Sequence, residues 1–342
     1  MVPGTQTTFI EANGIRFEVA VAHSARSGMD GGQVSGKNKL ALLLHGFPEL
    51  NFSWRDQIST FTNAGYTVWA PNLRGYGDTS RPEGIDAYRL DVLIDDVAGL
   101  IDTAKAEGLA DEVCLVAHDW GGAIAWSFLL GKKRDIDRFI VMNLPHPKRF
   151  VDEFKTWKQF KRSWYTVFFQ IPWLPEKLLG AKDAEAIGRA FHDMAVDKSR
   201  FPDNVLKVYR EAALKPGALT AMVNYYRAAM RRRTPYHDLW RDPPVINVPT
   251  LMIWGEEDSA LCVETTDKMD PLMRDFTLRR LPGVSHWVQQ EAPDTVNAMI
   301  AAWLGGIAVP QAADLNRLAP PTPRDTATAT PPAAQLRRPQ AR

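Results

Sequence analysis

Residues 112–130, EVCLVAHDWGGAIAWSFLL, constrain the fold of this chain more than any other stretch. Glu112 to Val116 is an apolar run of strand character, and Ala123 to Leu130 reads as a helix, with only a handful of small or polar residues between them. A strand that passes into a helix through so short a turn lifts one side chain clear of both elements. Here that side chain is a carboxylate, Asp119, at a position where a serine hydroxyl would be the ordinary expectation.

The rest of the chain repeats the alternation. Thr8–Glu11 and Ile15–Ala22 predict a hairpin closed at Asn13-Gly14, and a Gly/Ser-rich loop follows from Ser24 to Asn38. Leu40–Leu44 and Thr67–Ala70 are continuously apolar, as strands covered on both faces must be, with a helical stretch Ser53–Ala64 between them. A helix over Tyr88–Glu107, the strand ending at Ala117, a helix to Gly131 and a strand Arg138–Asn143 continue the pattern. From His146 to Trp240 it changes to aromatic-rich, helix-like sequence broken at Pro172, Pro175, Pro202 and Pro216. Strand Thr250–Trp254, helix Glu264–Leu272, strand Thr277–Leu281 and helix Pro293–Leu304 then resume it. The expectation is an α/β fold: a mostly parallel sheet flanked by helices, its core formed by residues 1–145 and 241–306. Residues 146–240 form an inserted helical lid, and the Pro/Ala/Thr-rich residues 307–342 are expected to be disordered.

Charge excludes some function classes. The 342 residues carry a formal net charge of +1, there is no long stretch of one sign, and the short cluster Arg231-Arg232-Arg233 reads as a solvated helix face, so nucleic-acid binding is not indicated. Cys114 and Cys262 lack ligand spacing and read as buried free thiols; no metal site is expected. The N-terminal residues lack a basic-then-apolar leader pattern, and no apolar run reaches about 18 residues, so a soluble, cytoplasmic protein without a membrane partner is expected.

A nucleophilic carboxylate needs a base and a group to orient that base. WGEEDSAL at 254–261 supplies Asp258 after a strand, and GVSHWV at 283–288 supplies His286 after the last strand. HGFPE at 45–49 follows the third strand, where a loop can offer an N–H to an oxyanion. In this order the motifs resemble the α/β-hydrolase superfamily over nearly the whole chain up to residue 306. His-Asp-Trp-Gly-Gly resembles the branch that holds soluble epoxide hydrolases and haloalkane dehalogenases, which attack an sp3 carbon with an aspartate. A carboxylate leaves an ester that activated water can cleave, whereas a serine would leave an unreactive ether. Ala117 stands where that branch often has glycine, and is small enough for the turn.

The resemblance implies a site, residue by residue. Asp119 is the nucleophile, His286 the base and Asp258 its orienting acid, favoured over Glu256 and Glu257 by the spacing W-G-x-x-D. Some relatives carry the acid after the preceding strand, but Met142-Asn143-Leu144 offers no carboxylate there. The N–H groups of Phe47 and Trp120 form the oxyanion hole, and both side chains line the substrate pocket. In NYYRA (224–228) and WYTVFFQIP (164–172), Tyr226 and Tyr165 match the lid tyrosines of soluble epoxide hydrolases, with Tyr225 as a packing residue. His45, His118 and His146 read as structural hydrogen-bonding residues, and Ser127 lies too far into the helix to be a nucleophile. The implied activity is hydrolysis of an apolar small-molecule epoxide to a vicinal diol, without cofactor, in a protein for which a homodimer is open. The rivals are a haloalkane dehalogenase, with Trp120 and Trp164 holding halide, and a non-catalytic ligand-binding homologue.

Overall fold

The structure, a computed structural model, describes residues 2–24 and 37–318. Its sheet comprises β1 (Gln6–Ala12), β2 (Ile15–Ala22), β3 (Lys39–Leu44), β4 (Tyr66–Pro71), β5 (Glu112–His118), β6 (Arg138–Met142), β7 (Thr250–Gly255) and β8 (Phe276–Leu281). The order is β1-β2-β4-β3-β5-β6-β7-β8, with β1 and β2 antiparallel to their neighbours and the remainder parallel. The hairpin turns at Asn13 and Gly14, both at positive φ (48° and 69°), as a two-residue connection that matches strand twist requires.

The apolar runs occupy the middle of this sheet for a physical reason. Leu40 to Leu44 and Val113 to Ala117 are buried on both faces, so successive side chains enter two separate apolar clusters. Strand order reverses at β3, which lies between β4 and β5, so the chain leaves the C-terminal ends of β3 and β5 toward opposite sides of the sheet, the place where open α/β sheets tend to carry their sites.

Helices α1 (Ile58–Asn63), α2 (Leu90–Ala106) and α3 (Asp119–Leu130) belong to the core. The segment expected to be helical from Ser53 is divided into a 3-10 turn, Asn51–Trp54, and α1. Between β6 and β7 the chain forms α4 (Pro147–Glu153), α5 (Trp157–Arg162), α6 (Trp164–Phe168), α7 (Leu174–Met194), α8 (Asp203–Ala213), α9 (Ala218–Arg231) and α10 (Tyr236–Arg241). Then come α11 (Val288–Glu291), α12 (Pro293–Leu304) and α13 (Ala312–Leu318). No helix among the described residues is long and apolar enough to cross a membrane.

Two expectations need correction. The helix expected at Glu264–Leu272 is only a 3-10 turn, Val263–Thr266: the hydroxyls of Thr265 and Thr266 bond back to the carbonyls of Cys262 and Val263, and Lys268 takes φ 57°. Residues 307–318, expected to be disordered, dock on the sheet edge. Arg279 donates to the carbonyls of Val309 and Pro310, Val309 and Ala312 are buried, and α13 follows. Composition missed this because two apolar side chains and two backbone acceptors suffice. Residues 319–342, the remainder of that expectation, and 25–36 lie outside the described residues.

Candidate active site

Asp119 opens α3 with φ 46°, a left-handed conformation that holds its side chain above the sheet. The helix can start there only because Gly121 lets it pass the end of β3: a Cβ at that position would lie 2.3 Å from the Leu44 carbonyl oxygen. Gly46 has the same role from the other side, since its Cβ would fall 2.3 Å from Asp119 Cβ. The His45–Glu49 loop thus lies against the carboxylate, and the Phe47 N–H donates to Asp119 Oδ1 at 2.7 Å. Among the described residues this is the one backbone hydrogen bond that the carboxylate receives; Oδ2 faces His286 Nε2 at 3.6 Å. Burial opposes ionisation of Asp119, but hydrogen bonding and charge from His286 prevail and hold its pKa below the ordinary carboxylate value.

His286 follows β8, and its Nδ1 lies 2.7 Å from Asp258 Oδ2. Asp258 is buried, and its other oxygen accepts the N–H groups of Ala260 and Leu261 at 2.8 and 2.9 Å. Despite its burial, these contacts and the His286 charge keep Asp258 below the ordinary range. Glu257 is exposed and Glu256 half-buried, so neither competes for the ring. Burial works against an imidazolium at His286, yet the Asp258 charge and the two carboxylate contacts outweigh it and push the pKa up to about 10.

The insertion brings two phenols over this group. Tyr165 on α6 and Tyr226 on α9 have ring centroids 5.7 Å apart, and Tyr226 packs edge-on against Phe47 (5.2 Å) and Trp120 (5.1 Å). Burial first, then the Asp119 charge among its neighbours, raises both phenols above the ordinary tyrosine value, so each remains a protonated donor at neutral pH. Tyr225 is turned away, its hydroxyl donating to the Arg74 carbonyl at 2.8 Å. Trp164, the dehalogenase reading's second halide ligand, is 64% exposed and points out of the insertion.

Asn143 and Glu49 hold this geometry without any local sequence signal of that role. Asn143, at the end of β6 with φ 39°, donates to Asp258 Oδ2 at 2.7 Å and accepts from the Gly255 N–H at 2.9 Å. The strand end that lacks a carboxylate thus carries the amide that positions one. Glu49, quoted within HGFPE, is fully buried: Oε2 accepts the Gly46 N–H at 2.8 Å and faces His118 Nδ1 at 2.7 Å, while Oε1 accepts Gln289 and Gln290 at 2.9 Å each. Burial would raise its pKa, but the His118 ring and the Gly46 N–H hold it below the ordinary value. His118 Nε2 in turn meets the His286 carbonyl at 2.9 Å, so one buried pair ties the loop under Phe47 to the backbone of the histidine. His45 is the structural residue expected: Nε2 accepts the Leu73 N–H, Nδ1 contacts the Gly46 carbonyl, and burial lowers its pKa to about 4.

This architecture has known counterparts. The sequence profile of the alpha/beta hydrolase family matches residues 41–299. AB hydrolase superfamily protein YfhM of Bacillus subtilis is 35% identical over 302 residues, covering 88% of this chain and 98% of that protein. Epoxide hydrolase 4 of Homo sapiens is 34% identical over 302 residues, covering 86% and 77% respectively. Among solved structures, a Bacillus megaterium epoxide hydrolase in complex with an inhibitor superposes with a TM-score of 0.73 at 29% identity, covering 87% of this chain and all of that one (100%).

Proposed function

The chain belongs to the alpha/beta hydrolase family, and from that premise we propose that it is an epoxide hydrolase converting an oxirane and water to a vicinal diol through an ester on Asp119. The observation that supports this reading most is the convergence of two phenols from the insertion, Tyr165 and Tyr226, with ring centroids 5.7 Å apart and Tyr226 packed on Phe47 and Trp120 beside the carboxylate at the nucleophile turn. An epoxide's leaving oxygen stays on the substrate and develops alkoxide charge, so it calls for proton donors opposite the nucleophile. A halide would call for a cradle of N–H groups, and the outward-facing Trp164 does not contribute to one.

With Oδ1 held by Phe47, Oδ2 attacks a ring carbon. The C–O bond breaks, its electron pair passes to the ring oxygen, and that oxygen is hydrogen-bonded by both phenols. At rest Asp119 is an anion and His286 a cation, so the alkoxide can be neutralised at the expense of the His286 proton. Esterification also removes one of the two carboxylates that stabilise the imidazolium, which lowers the His286 pKa at the stage where a base is required. Neutral His286, oriented by Asp258, takes a proton from water; the oxygen adds to the Asp119 acyl carbon, with the Phe47 and Trp120 N–H groups facing the oxyanion. Collapse releases the diol and restores the anion and cation pair.

Mass spectrometry after mixing with a small epoxide tests the assignment. His286→Gln should accumulate protein heavier by one epoxide, and Asp119→Asn should accumulate none. Equal labelling of both variants, or of neither, would refute the roles; chloride release from haloalkanes without diol formation from epoxides would select the dehalogenase.

A further inference from the structure

The outer surface of the insertion carries apolar side chains that the site does not use. Trp157, Trp164 and Trp173 are 68%, 64% and 67% exposed, and Phe160, Val167, Ile171 and Leu178 are each exposed too. Leaving three indoles in water within so short a stretch forgoes much of the stabilisation that burying them would give. Spacing groups four of them: positions 157, 160, 164 and 167 recur every three or four residues along α5 and α6, which are separated only by Ser163, and Trp157 stacks on Phe160 (5.8 Å), while Trp173 stands at the start of α7. The opposite face is anchored to the body. Gln159 is buried and bonded to the Ala260 carbonyl, the Cys262 N–H and the buried Ser163 hydroxyl, and Phe169 is buried against Tyr165 and Tyr226. These two short helices therefore carry apolar side chains on the face turned to water as well as on the face packed against the body.

Charge narrows what can cover it. Lys155, Lys158, Lys161 and Lys177 are exposed around the aromatics, with Lys161 over the Trp157 ring (5.0 Å) and Lys177 near that of Trp173 (6.0 Å). Lys155, Lys161 and Lys177 have no ion-pair partner among the described residues, and Glu176, the acid within 155–178, is committed to Arg227. A second copy packed on the same face about a twofold axis would bring like-charged lysines together. Indoles flanked by lysines instead match the boundary between lipid headgroups and acyl chains.

We propose that this face docks the protein on an anionic membrane surface, with the aromatics at headgroup depth and the lysines against lipid phosphates. It lies on the bilayer and does not span it. The same short helix, α6, then turns Trp164 and Val167 toward lipid and Tyr165 toward Tyr226, so an apolar substrate dissolved in the bilayer meets the insertion where it carries a phenol. That last consequence rests on the epoxide reading; docking does not.

The test uses the full chain with vesicles of phosphatidylcholine containing about one-third phosphatidylglycerol, and with phosphatidylcholine alone as control. Cosedimentation should favour the anionic vesicles, with a blue shift of tryptophan emission, and should weaken as salt is raised. The triple variant Trp157→Ser, Phe160→Ser, Trp173→Ser should lose binding by roughly tenfold or more, while its melting temperature and its turnover of a water-soluble epoxide stay at the parent level. Absence of anionic-vesicle binding at low salt, or equal binding by a folded triple variant, overturns the proposal. So does light scattering that finds a dimer which the triple variant converts to monomer, since the face would then join two copies. None of the binding readouts requires activity, so failure of docking and failure of the epoxide reading are separable.

Discussion

At Asp119 the backbone occupies φ 46°, a conformation that costs a residue with a Cβ on the order of 1–3 kcal/mol and persists only where its surroundings enforce it. The close passage of Gly121 past Leu44 and the Phe47 N–H on Oδ1 are what enforce it here. The return is a carboxylate whose orientation is fixed before substrate arrives. On the proposed reading the phenols opposite act only as donors, which makes their contribution separable from that of His286. Tyr165→Phe and Tyr226→Phe should each slow ester formation, by up to about a hundred- to a thousandfold if the other phenol cannot compensate. The double variant should nearly abolish that step, yet hydrolysis of a preformed ester should change far less. Single-turnover kinetics resolve the two steps, and a double variant alkylating at the parent rate would take the tyrosines out of the mechanism.

The insertion has to hold α6 and α9 in register for those phenols to converge, and Arg227 is the link. It lies on α9 one residue after Tyr226, is buried, donates to the carbonyls of Phe169 and Ile171 at 3.0 and 2.8 Å, and pairs with Glu176. Removing one partner of a buried pair typically costs about 3–5 kcal/mol, so Arg227→Met should lower stability by that order and slow alkylation. Adding Glu176→Leu removes the stranded carboxylate and should recover much of the stability, as read by denaturant unfolding. Alkylation should remain slow, because the carbonyls at the end of α6 still lack their donor. Full alkylation in the stabilised double variant would show that α6 finds its place without Arg227. The insertion also grips the loop that carries His286. Trp287 Nε1 donates to the Ala190 carbonyl, and Glu291 accepts the N–H groups of Val196 and Asp197 with one oxygen and that of Ser285 with the other.

Across the whole molecule, the buried ionisable groups set opposing limits on pH. His286 has a folded pKa of about 10 against 6.5 for an ordinary histidine. Its stabilisation is complete below pH 6.5 and is lost progressively as pH rises to about 10. His45 and His146 act the other way, their pKa values lowered by burial to about 4 and about 3, so stability falls as pH drops below 6.5 and these rings must be charged. Asp119 and Asp258, held low, also withdraw stability in acid. Thermal melting should therefore peak near pH 6.5 and decline on both sides. In His286→Gln the alkaline decline should be largely gone while the acid limb remains. An unchanged alkaline slope in that variant would mean that His286 is not held as a cation in the folded protein.

Local pattern was enough to read the alternation of apolar runs and helices, the Asn13-Gly14 hairpin and the strand-to-helix turn at Asp119, because each depends on neighbours within a few residues. Asp258 and His286 are legible as candidates from their places after strands, whereas Tyr165 and Tyr226 follow only from the resemblance to soluble epoxide hydrolases. What the sequence could not display is everything that depends on contact between distant segments. Asn143 reads as a strand end without a carboxylate until β6 and β7 lie side by side and its amide reaches Asp258, 115 positions away. Glu49 reads as the end of a loop motif until the fold encloses it among Gly46, His118, Gln289 and Gln290. Residues 307–318 carry no periodicity, and only the free edge at β8 and Arg279 gave them somewhere to dock. Sequence pattern marks residues 146–240 as aromatic-rich and helix-like, but not which of those aromatics turn inward. That choice fell to tertiary anchors such as Gln159 and Arg227, whose buried polar groups had to be satisfied, and it left the tryptophans outside.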